Sequence, residues 1–422
     1  MEPELPYLTP EVAPIAGRIK QRPEDFVVEE IPAYEASGEG DHVYFQVEKI
    51  GISTHDAVKA LARALGVAPR EIGYAGLKDA QALARQIFSL EHADPDRIAA
   101  LEMPRLRVVW VSRHRNKLRI GHLAGNRFVL KLRGIPADRH GDVRAVLDVV
   151  ERRGVPNYFG EQRFGARGDT WRIGRALLLR DAEEAVSWMA GRPGPADTGK
   201  VLRAREHFDA GDYERAEKAW PGGFRDAIRL CRAMARSKGD AKRALRVIDR
   251  SLLRLYTAAY HAWLFNQVLA ERMGELDRVL VGDLAWKHDN GAVFEVLDAE
   301  AEAPRAARFE ISPSGPLFGR RTSLPGGRPG ELERGVLARA GHALEDFART
   351  GPLEWKGGRR PLRFRPERLA VSAGADDAGE FLEIAFELPP GCYATSLLRE
   401  VLKPPRPSGL SGDSSPELPA EQ

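Results

Sequence analysis

Strand-forming segments lie toward both ends of this chain, and a long helix-forming stretch lies between them. Residues 26–30 and 42–47 are rich in the β-branched and aromatic residues that favour strands. After residue 165 helical periodicity replaces the strand patterns, which return after residue 279. We therefore expect an α+β fold, in which a mixed sheet with flanking helices is built from two separated segments and is interrupted by a mainly helical α/β insertion.

Apolar residues at helical spacing predict the individual helices, at residues 54–65, 170–178, 182–189, 213–219, 224–235, 241–273 and 330–351. We expect Thr54 to cap the first of these helices and Gly66 to end it. Asp240 is expected to cap the stretch 241–273, which is one long helix or two abutting ones. Further strands are predicted at 71–75, 106–112, 118–122, 127–132, 284–286, 293–296 and 381–388, and a turn-rich loop at 312–319.

Lys78 and Asp79 lie in a glycine-containing turn just after the predicted strand 71–75. Loops at strand ends are where a rigid scaffold commonly presents reactive groups, so Asp79 is a candidate catalytic carboxylate. The alternative is that Asp79 caps a short helix over residues 80–86, because Asp is a favoured N-cap residue. For an isolated Asp the capping interpretation is the more common one, and only the surrounding sequence favours catalysis.

Five sequence blocks surround and accompany Asp79 in a fixed order. They are RPEDFVVEE at 22–30, GYAGLKDAQALARQ at 73–86, HRNKLR at 114–119 with GNRF at 125–128, VPNYFGEQRFG at 155–165, and GCYATSLLRE at 391–400. Together they resemble the TruD family of tRNA pseudouridine synthases, and the resemblance spans about residues 17–403. Five blocks in the family's order make coincidence implausible.

The resemblance implies an enzyme that converts uridine to pseudouridine in tRNA, at uridine 13 of the D-arm, with Asp79 as the catalytic residue. It also implies a discontinuous pseudouridine synthase catalytic domain, which we place at 1–154 and 306–404, with a family-specific insertion domain at 155–305. The tail at 405–422 is rich in Pro, Ser, Gly and acidic residues and is predicted to be disordered.

The resemblance further nominates five residues that would form the uridine pocket. Phe26 and Tyr393 would stack on the uracil, Asn126 would hydrogen-bond its polar edge, and Phe128 or Phe159 would close the pocket. On residue type alone, core packing is the more common role of each aromatic side chain. For Asn126, the alternative is a turn residue at positive φ.

Three charged residues are also candidates for substrate binding. Lys78 or Arg85 could supply a cation that keeps Asp79 ionised, although either could instead bind phosphate or be exposed. Arg399 would contact a phosphate or support Asp79.

The distribution of charge says more than its total. The chain holds 64 basic and 61 acidic residues, but residues 103–137 contain nine Lys and Arg and no acidic residue. Such a block favours a surface that faces a polyanion, here tRNA. The alternative is a solvated face that is balanced by acidic residues from elsewhere in the fold.

The sequence contains no Cys/His spacing typical of a zinc site and no phosphate-binding loop, so we expect neither a metal nor a cofactor. No run approaches the roughly 20 apolar residues that a membrane span needs, and the N-terminus does not resemble a secretory signal. We expect a cytoplasmic monomer that does not bind membranes.

Two other functions stay open from the sequence. A glycoside or nucleoside hydrolase would pair Asp79 with a second carboxylate, such as Glu161. A non-catalytic RNA-binding protein would keep the fold and the basic surface. The catalytic hypothesis requires that the Asp79 side chain reach solvent.

Overall fold

Helices and strands alternate in the described part of the chain, residues 5–348 and 355–404 of a computed structural model. The strands are β1 Phe26–Pro32, β2 His42–Ile50, β3 Gly73–Tyr74, β4 Leu83–Glu91, β5 Glu102–Met103, β6 Leu106–His114, β7 Leu123–Arg133, β8 Val155–Pro156, β9 Leu284–Lys287, β10 Val293–Glu295, β11 Ile311–Leu317, β12 Gly358–Pro361, β13 Arg363–Phe364, β14 Glu367–Asp376 and β15 Gly379–Leu388.

The helices are α1 Thr54–Leu65, α2 Pro95–Ala99, α3 His140–Arg153, α4 Thr170–Leu178, α5 Ala182–Ala190, α6 Gly199–Asp209, α7 Tyr213–Ala219, α8 Arg225–Arg236, α9 Ala241–Ala244, α10 Arg250–Arg272, α11 Ala299–Ala307, α12 Gly327–Arg339 and α13 Ala394–Leu402. The predicted α+β class is confirmed. Within the described residues, no helix is both long enough and apolar enough to span a membrane.

The chain forms two compact units. The sheet unit comprises Thr9–Val155 and Phe364–Pro404, and the helical unit comprises Pro156–Arg363 with residues 5–8. After residue 9, the chain first changes unit at 155/156, within two residues of the predicted boundary at 154/155. The second lies at 363/364 rather than at 305/306, because β11 and α12 pack against α10 and β12 pairs with β11. The catalytic and insertion domains remain predictions, and the tail at 405–422 lies outside the described residues.

The sheet unit contains a nine-stranded sheet in the order β14-β15-β7-β1-β4-β2-β6-β5, with β3 paired to β4. Only the pair β1 and β4 is parallel. The register sets Val28 opposite both Phe128 and Ala84, and Ala84 opposite Lys49. Because side chains alternate between the two faces of a sheet, Phe26, Glu30, Lys49, Asn126 and Phe128 share one face, which we call the front face.

Helix α1 covers part of the front face, where its apolar side chains pack against Phe45 and Phe88. It ends at Gly66 in the left-handed region, with φ 75°, as predicted. Its N-cap is Ser53, whose Oγ accepts the Asp56 N–H at 3.1 Å, so the predicted cap at Thr54 is wrong by one residue. Thr54 is instead buried and bonds to the loop that carries Asp79, as described below.

The helical unit follows most of the predicted helices. The stretch 241–273 is interrupted: α9 is capped by Asp240, a 3-10 turn follows, and α10 begins after a new cap at Asp249. Helix α6 was not predicted, because only four of its eleven residues are apolar other than Gly: Val201, Leu202, Ala204 and Phe208.

Three segments differ from their predicted structure. Residues 118–122 are irregular rather than a strand. Residues 312–319, predicted as a loop, mostly belong to the buried strand β11. Pro313 of this strand cannot donate a backbone hydrogen bond, but its carbonyl accepts the Leu362 N–H at 2.9 Å. The predicted helix 330–351 is α12 followed by a 3-10 turn at Leu344–Ala348, and its last residues lie outside the described residues.

Candidate active site

Asp79 lies in an irregular turn between β3 and β4, and its side chain is 33% exposed. Its Oδ1 accepts the Gln81 N–H at 2.8 Å, which closes a local turn. The alternative of a helix over residues 80–86 is wrong, because β4 begins at Leu83 and pairs with β1 and β2. The carboxylate therefore reaches solvent, as the catalytic hypothesis requires.

Two buried polar side chains hold the loop that carries Asp79. Gln86 of β4 donates from Nε2 to the Gly76 carbonyl at 2.6 Å. Its Oε1 accepts the Thr54 hydroxyl at 3.0 Å, and Thr54 Oγ1 accepts the Lys78 N–H at 2.9 Å. The loop backbone is thus bonded to strand β4 and helix α1 on both sides.

Lys20 supplies the cation beside Asp79. Its Nζ forms an ion pair with Asp79 Oδ2 and lies 4.3 Å from the centre of the Phe26 ring. Lys20 has a positive φ of 55°, which turns the chain just before the first sequence block. Sequence reasoning missed Lys20, since it lies 59 residues from Asp79 and only its position two residues before that block could have indicated it.

Lys49 approaches the same loop from inside the sheet. It is fully buried on β2, and its Nζ donates to the Ile52 carbonyl at 2.6 Å and to the Asp79 carbonyl at 3.0 Å. Burial lowers the pKa of Lys49 to about 8, although the Asp79 charge opposes this shift. A second ammonium group is therefore fixed close to Asp79.

The environment favours the ionised form of Asp79. Partial burial raises its pKa, but the hydrogen bonds from Lys20 and from the Gln81 N–H, with the charges of Lys20 and Lys49, outweigh burial and leave the pKa below its usual value. Asp79 is therefore a carboxylate at neutral pH.

The two cations that the sequence favoured have other partners. Lys78 Nζ lies 2.9 Å from Glu30 Oε2 in a buried pair, and burial raises the pKa of Glu30 against the effect of Lys78. Arg85 lies on the opposite face of the sheet, where its Nε contacts Glu48 Oε2 at 3.1 Å and its Nη1 lies 3.9 Å from Glu29. The expectation that Lys78 or Arg85 pairs with Asp79 is corrected in favour of Lys20.

Phe26 and Phe128 both lie on the front face. They are buried and meet edge to face, with ring centres 6.2 Å apart, and Phe128 also stacks on Phe386 at 5.3 Å. Phe128 thus has the core-packing role that was weighed for the aromatics. Phe26 packs in the core too, but the Lys20 ammonium joins its ring to the Asp79 carboxylate.

Asn126 is a residue of β7 and not of a turn, and it lies opposite Glu30 in the register. Its Oδ1 is buried and has no hydrogen-bond partner among the described residues. An unmet buried acceptor costs stability, and this one lies on the face that carries the Asp79 loop.

Tyr393 and Arg399 lie at the two ends of α13. Tyr393 precedes the helix and is 39% exposed, so its ring is accessible. Arg399 Nη1 donates to the buried carboxylate of Glu400 at 2.6 Å. Its proposed contact with phosphate or with Asp79 stays a prediction.

Phe159 belongs to the helical unit. Its backbone N–H and carbonyl are both bonded to the side-chain amide of Asn266 at 2.9 Å, and the Arg360 guanidinium lies 4.4 Å from its ring centre. This arrangement holds the Phe159 ring in one orientation. Its role in closing a uridine pocket stays a prediction.

The basic block at 103–137 is partly neutralised within the sheet unit. Arg107 pairs with Glu48, Arg115 with Glu39, and Arg133 with both Asp25 and Asp376. The members that make no ion pair with described residues are Arg105, Arg113, Lys117, Arg119 and Arg127. The solvated-face interpretation is thus correct for part of the block, and a positive surface is left over.

The sequence matches known proteins along nearly its whole length. A family model described as tRNA pseudouridine synthase D (TruD) matches residues 4–401. The chain is 46% identical to tRNA pseudouridine synthase D of Geobacter metallireducens over 408 residues, 96% of this chain and 100% of the relative. It is 45% identical to the protein of the same name from Geotalea daltonii over 398 residues, 94% of this chain and 99% of the relative.

The match to a solved structure agrees with the sequence matches. A crystal structure assigned to tRNA pseudouridine synthase D (TruD) from Methanosarcina mazei matches with a TM-score of 0.85 at 28% identity, over 94% of this chain and 96% of that chain. Fold and sequence matches together define an RNA-modifying isomerase of the pseudouridine synthase class. More narrowly, the chain belongs to the TruD family of tRNA pseudouridine synthases, as the five sequence blocks predicted.

Proposed function

We propose that this protein converts uridine to pseudouridine in tRNA, that its target is uridine 13 of the D-arm, and that Asp79 is the catalytic carboxylate. The observation that carries the proposal is the Asp79 side chain, which is solvent-accessible, kept ionised and paired with Lys20. The family membership supports the reaction and the class of substrate.

The reaction detaches uracil from C1′ of the ribose, rotates it, and rejoins it through C5. An ionised carboxylate can serve it in two ways, by attacking the nucleoside covalently or by removing a proton from the ribose. Both require a deprotonated Asp79, and the lowered pKa supports this state. The bonds to Lys20 and Gln81 hold the two carboxylate oxygens in a fixed orientation for either step.

The target base must leave its stack to reach Asp79, which costs a few kcal/mol. The exposed ring of Tyr393 suits the stacking role that offsets this cost, since stacking contributes about 1–3 kcal/mol per base. The unpartnered Oδ1 of Asn126 suits the N3–H donor of a uracil. Recognition of this donor would favour uridine over cytidine, whose N3 is an acceptor.

The leftover positive surface of the basic block supports RNA binding. We propose that Arg119 and Arg127, which are exposed and make no ion pair with described residues, contact phosphates of the tRNA. The cytoplasmic location and the monomeric state stay predictions from the sequence.

The test is carbodiimide mapping of pseudouridine in tRNA incubated with the wild-type protein and with Asp79→Asn. We expect one new labelled site with the wild type and none with the variant, while both bind tRNA with similar affinity. Asp94→Asn is the matched control, because Asp94 caps α2 and Asn serves as well at an N-cap.

Four results would contradict parts of the proposal. Absence of a labelled site with the wild type would contradict the reaction, and a labelled site elsewhere in the tRNA would contradict uridine 13. Release of free uracil would indicate the hydrolase instead. If Asp79→Asn lost its tRNA affinity together with its activity, Asp79 would have a structural role.

A further inference from the structure

A cavity of about 240 Å³ lies in the helical unit, between α4, α5, α10 and α12. Aromatic and guanidinium side chains dominate its lining, and they include Trp171, Arg172, Arg175, Trp188, Trp263 and Arg339. None of them belongs to the five sequence blocks.

The rings and guanidinium groups beside the cavity form one continuous stack. Trp263 and Trp171 are nearly parallel, at 10° and 4.4 Å between ring centres. The Arg172 guanidinium lies 4.5 Å from the ring centre of Trp171 and 4.9 Å from that of Trp188. The Arg192 guanidinium also lies over Trp188, 4.4 Å from its ring centre. We call this array of five side chains the indole–guanidinium stack.

The exposure of the stack is uneven. Trp171 is buried and anchors the stack in the core of the helical unit. Trp188 and Trp263 are only partly buried and form part of the cavity wall. Indole rings that line an open cavity offer flat surfaces on which another flat ring can stack.

The charge of the cavity is positive. Arg339 also pairs with Glu271, which is not part of the lining, and Arg172, Arg175 and Arg339 line the cavity against one carboxylate, Glu184. That carboxylate is already engaged, since it accepts the Trp188 indole N–H at 2.8 Å and pairs with Arg192. The lining therefore favours an anionic ligand, because its cations outnumber its acids.

We propose that this cavity binds one nucleotide of the tRNA other than the target uridine. Its base stacks on the Trp188 and Trp263 rings, and its phosphate is held by Arg175 and Arg339. Aromatic faces beside arginines are the chemistry that grips an unpaired nucleotide, whatever the base. The volume is below the roughly 300–1,000 Å³ of sites for drug-sized ligands, so it suits a single base and not a folded segment.

The proposal rests on the proposed function only in taking tRNA as the ligand. The experiment measures two quantities for each variant, the Kd for tRNA and the single-turnover rate at saturating tRNA. Binding is measured in the Asp79→Asn background, so that no product forms. If the wild type makes no pseudouridine, the proposed function fails; if it does and the cavity variants bind normally, only this inference fails.

The variants separate stacking from charge. Trp188→Leu removes an indole face and should raise the Kd roughly tenfold, while Trp188→Phe, which keeps a ring, should recover most of the affinity. Arg175→Gln with Arg339→Gln should raise the Kd and lower the slope of log Kd against log salt by roughly 0.7, the value for one phosphate contact to a single strand. The saturated single-turnover rate should stay unchanged in all of them.

Arg215→Gln is the matched control, because it removes one guanidinium from the helical unit at a 74% exposed side chain outside the cavity. Thermal unfolding is recorded for every variant, and the arginine pair carries the test if Trp188→Leu unfolds. Affinities equal to that of the control would overturn the proposal. So would equal losses in Trp188→Leu and Trp188→Phe, since the site would then not depend on stacking.

Discussion

Replacing Lys20 by Met removes the ammonium group that pairs with Asp79 Oδ2 and keeps a side chain of similar length. Partial burial still raises the pKa of Asp79 in the variant, while the Gln81 N–H and the Lys49 charge still lower it. The pKa of Asp79 must therefore rise. Since catalysis needs the carboxylate, the pH below which activity falls must rise with it.

The size of the shift follows from the exposure of the pair. A hydrogen bond to a charged group contributes about 1.5–3 kcal/mol, whereas exposed ion pairs contribute about 0.2–1 kcal/mol. The side chains of Lys20 and Asp79 are 16% and 33% exposed, so their pair lies between these limits. We take about 1.4 kcal/mol, which corresponds to about one pKa unit.

The assay is the single-turnover rate of pseudouridine formation at saturating tRNA, measured from about pH 2.5 to pH 8, because the wild-type pKa of Asp79 lies below the usual Asp value of 3.8. We expect the acid limb of Lys20→Met to lie about one pH unit above that of the wild type, and Lys20→Arg to stay close to the wild type. A rate that falls equally at every pH, with no change in the acid limb, would refute the reasoning. It would mean that Lys20 positions the substrate and does not tune Asp79.

Three further predictions concern the buried groups of the front face. Lys78→Met leaves Glu30 buried without its cation and should lower the free energy of unfolding by about 3–5 kcal/mol in urea, and the added change Glu30→Leu should restore most of this loss. Asn126→Ala should lower kcat/KM roughly tenfold with little change in thermal stability, because its Oδ1 has no partner among the described residues to lose. For Lys49, the folded pKa of about 8 lies below the unfolded value of 10.5, so the unfolded state binds more protons between these values. The wild type should therefore gain up to about 3 kcal/mol over Lys49→Met as the pH rises from 8 to 10.5, and equal pH dependence in urea unfolding would contradict the burial of a charged Lys49.

Patterns in the sequence predicted those helices whose apolar residues recur at helical spacing. The predicted ranges 170–178 and 213–219 coincide with α4 and α7, because both have apolar residues at helical spacing and α7 is also capped by Asp212. Strand β4 was not predicted, since Leu83 and Ala84 at its start have no strand preference of their own. They form a strand because β1 and β2 pair with both edges of β4, and this long-range pairing overrides propensity.

In the candidate site, too, local sequence predicted some residues and long-range contacts decided the others. Asp79 could be identified because its neighbours along the chain belong to a recognisable block. Its neighbouring cations could not, since Lys20 and Lys49 lie 59 and 30 residues away along the chain and only the fold brings them to Asp79. Adjacency in sequence favoured Lys78 and Arg85, but alternation along β4 sends Arg85 to the other face.

The position of Asp79 is thus decided by residues outside its own loop. Thr54, Gln86 and Lys49 are buried polar side chains, and each bonds to the backbone between Gly76 and Asp79 or to a partner that does. If the loop shifted, these groups would lose partners inside the protein, and each unmet buried group costs about 1–3 kcal/mol. The same bonds that orient the carboxylate therefore contribute to folding, so substitutions such as Gln86→Leu should lower the rate and the stability together. Lys20→Met should shift the acid limb of the rate and lower the free energy of unfolding at neutral pH by no more than the about 1.4 kcal/mol of the lost pair.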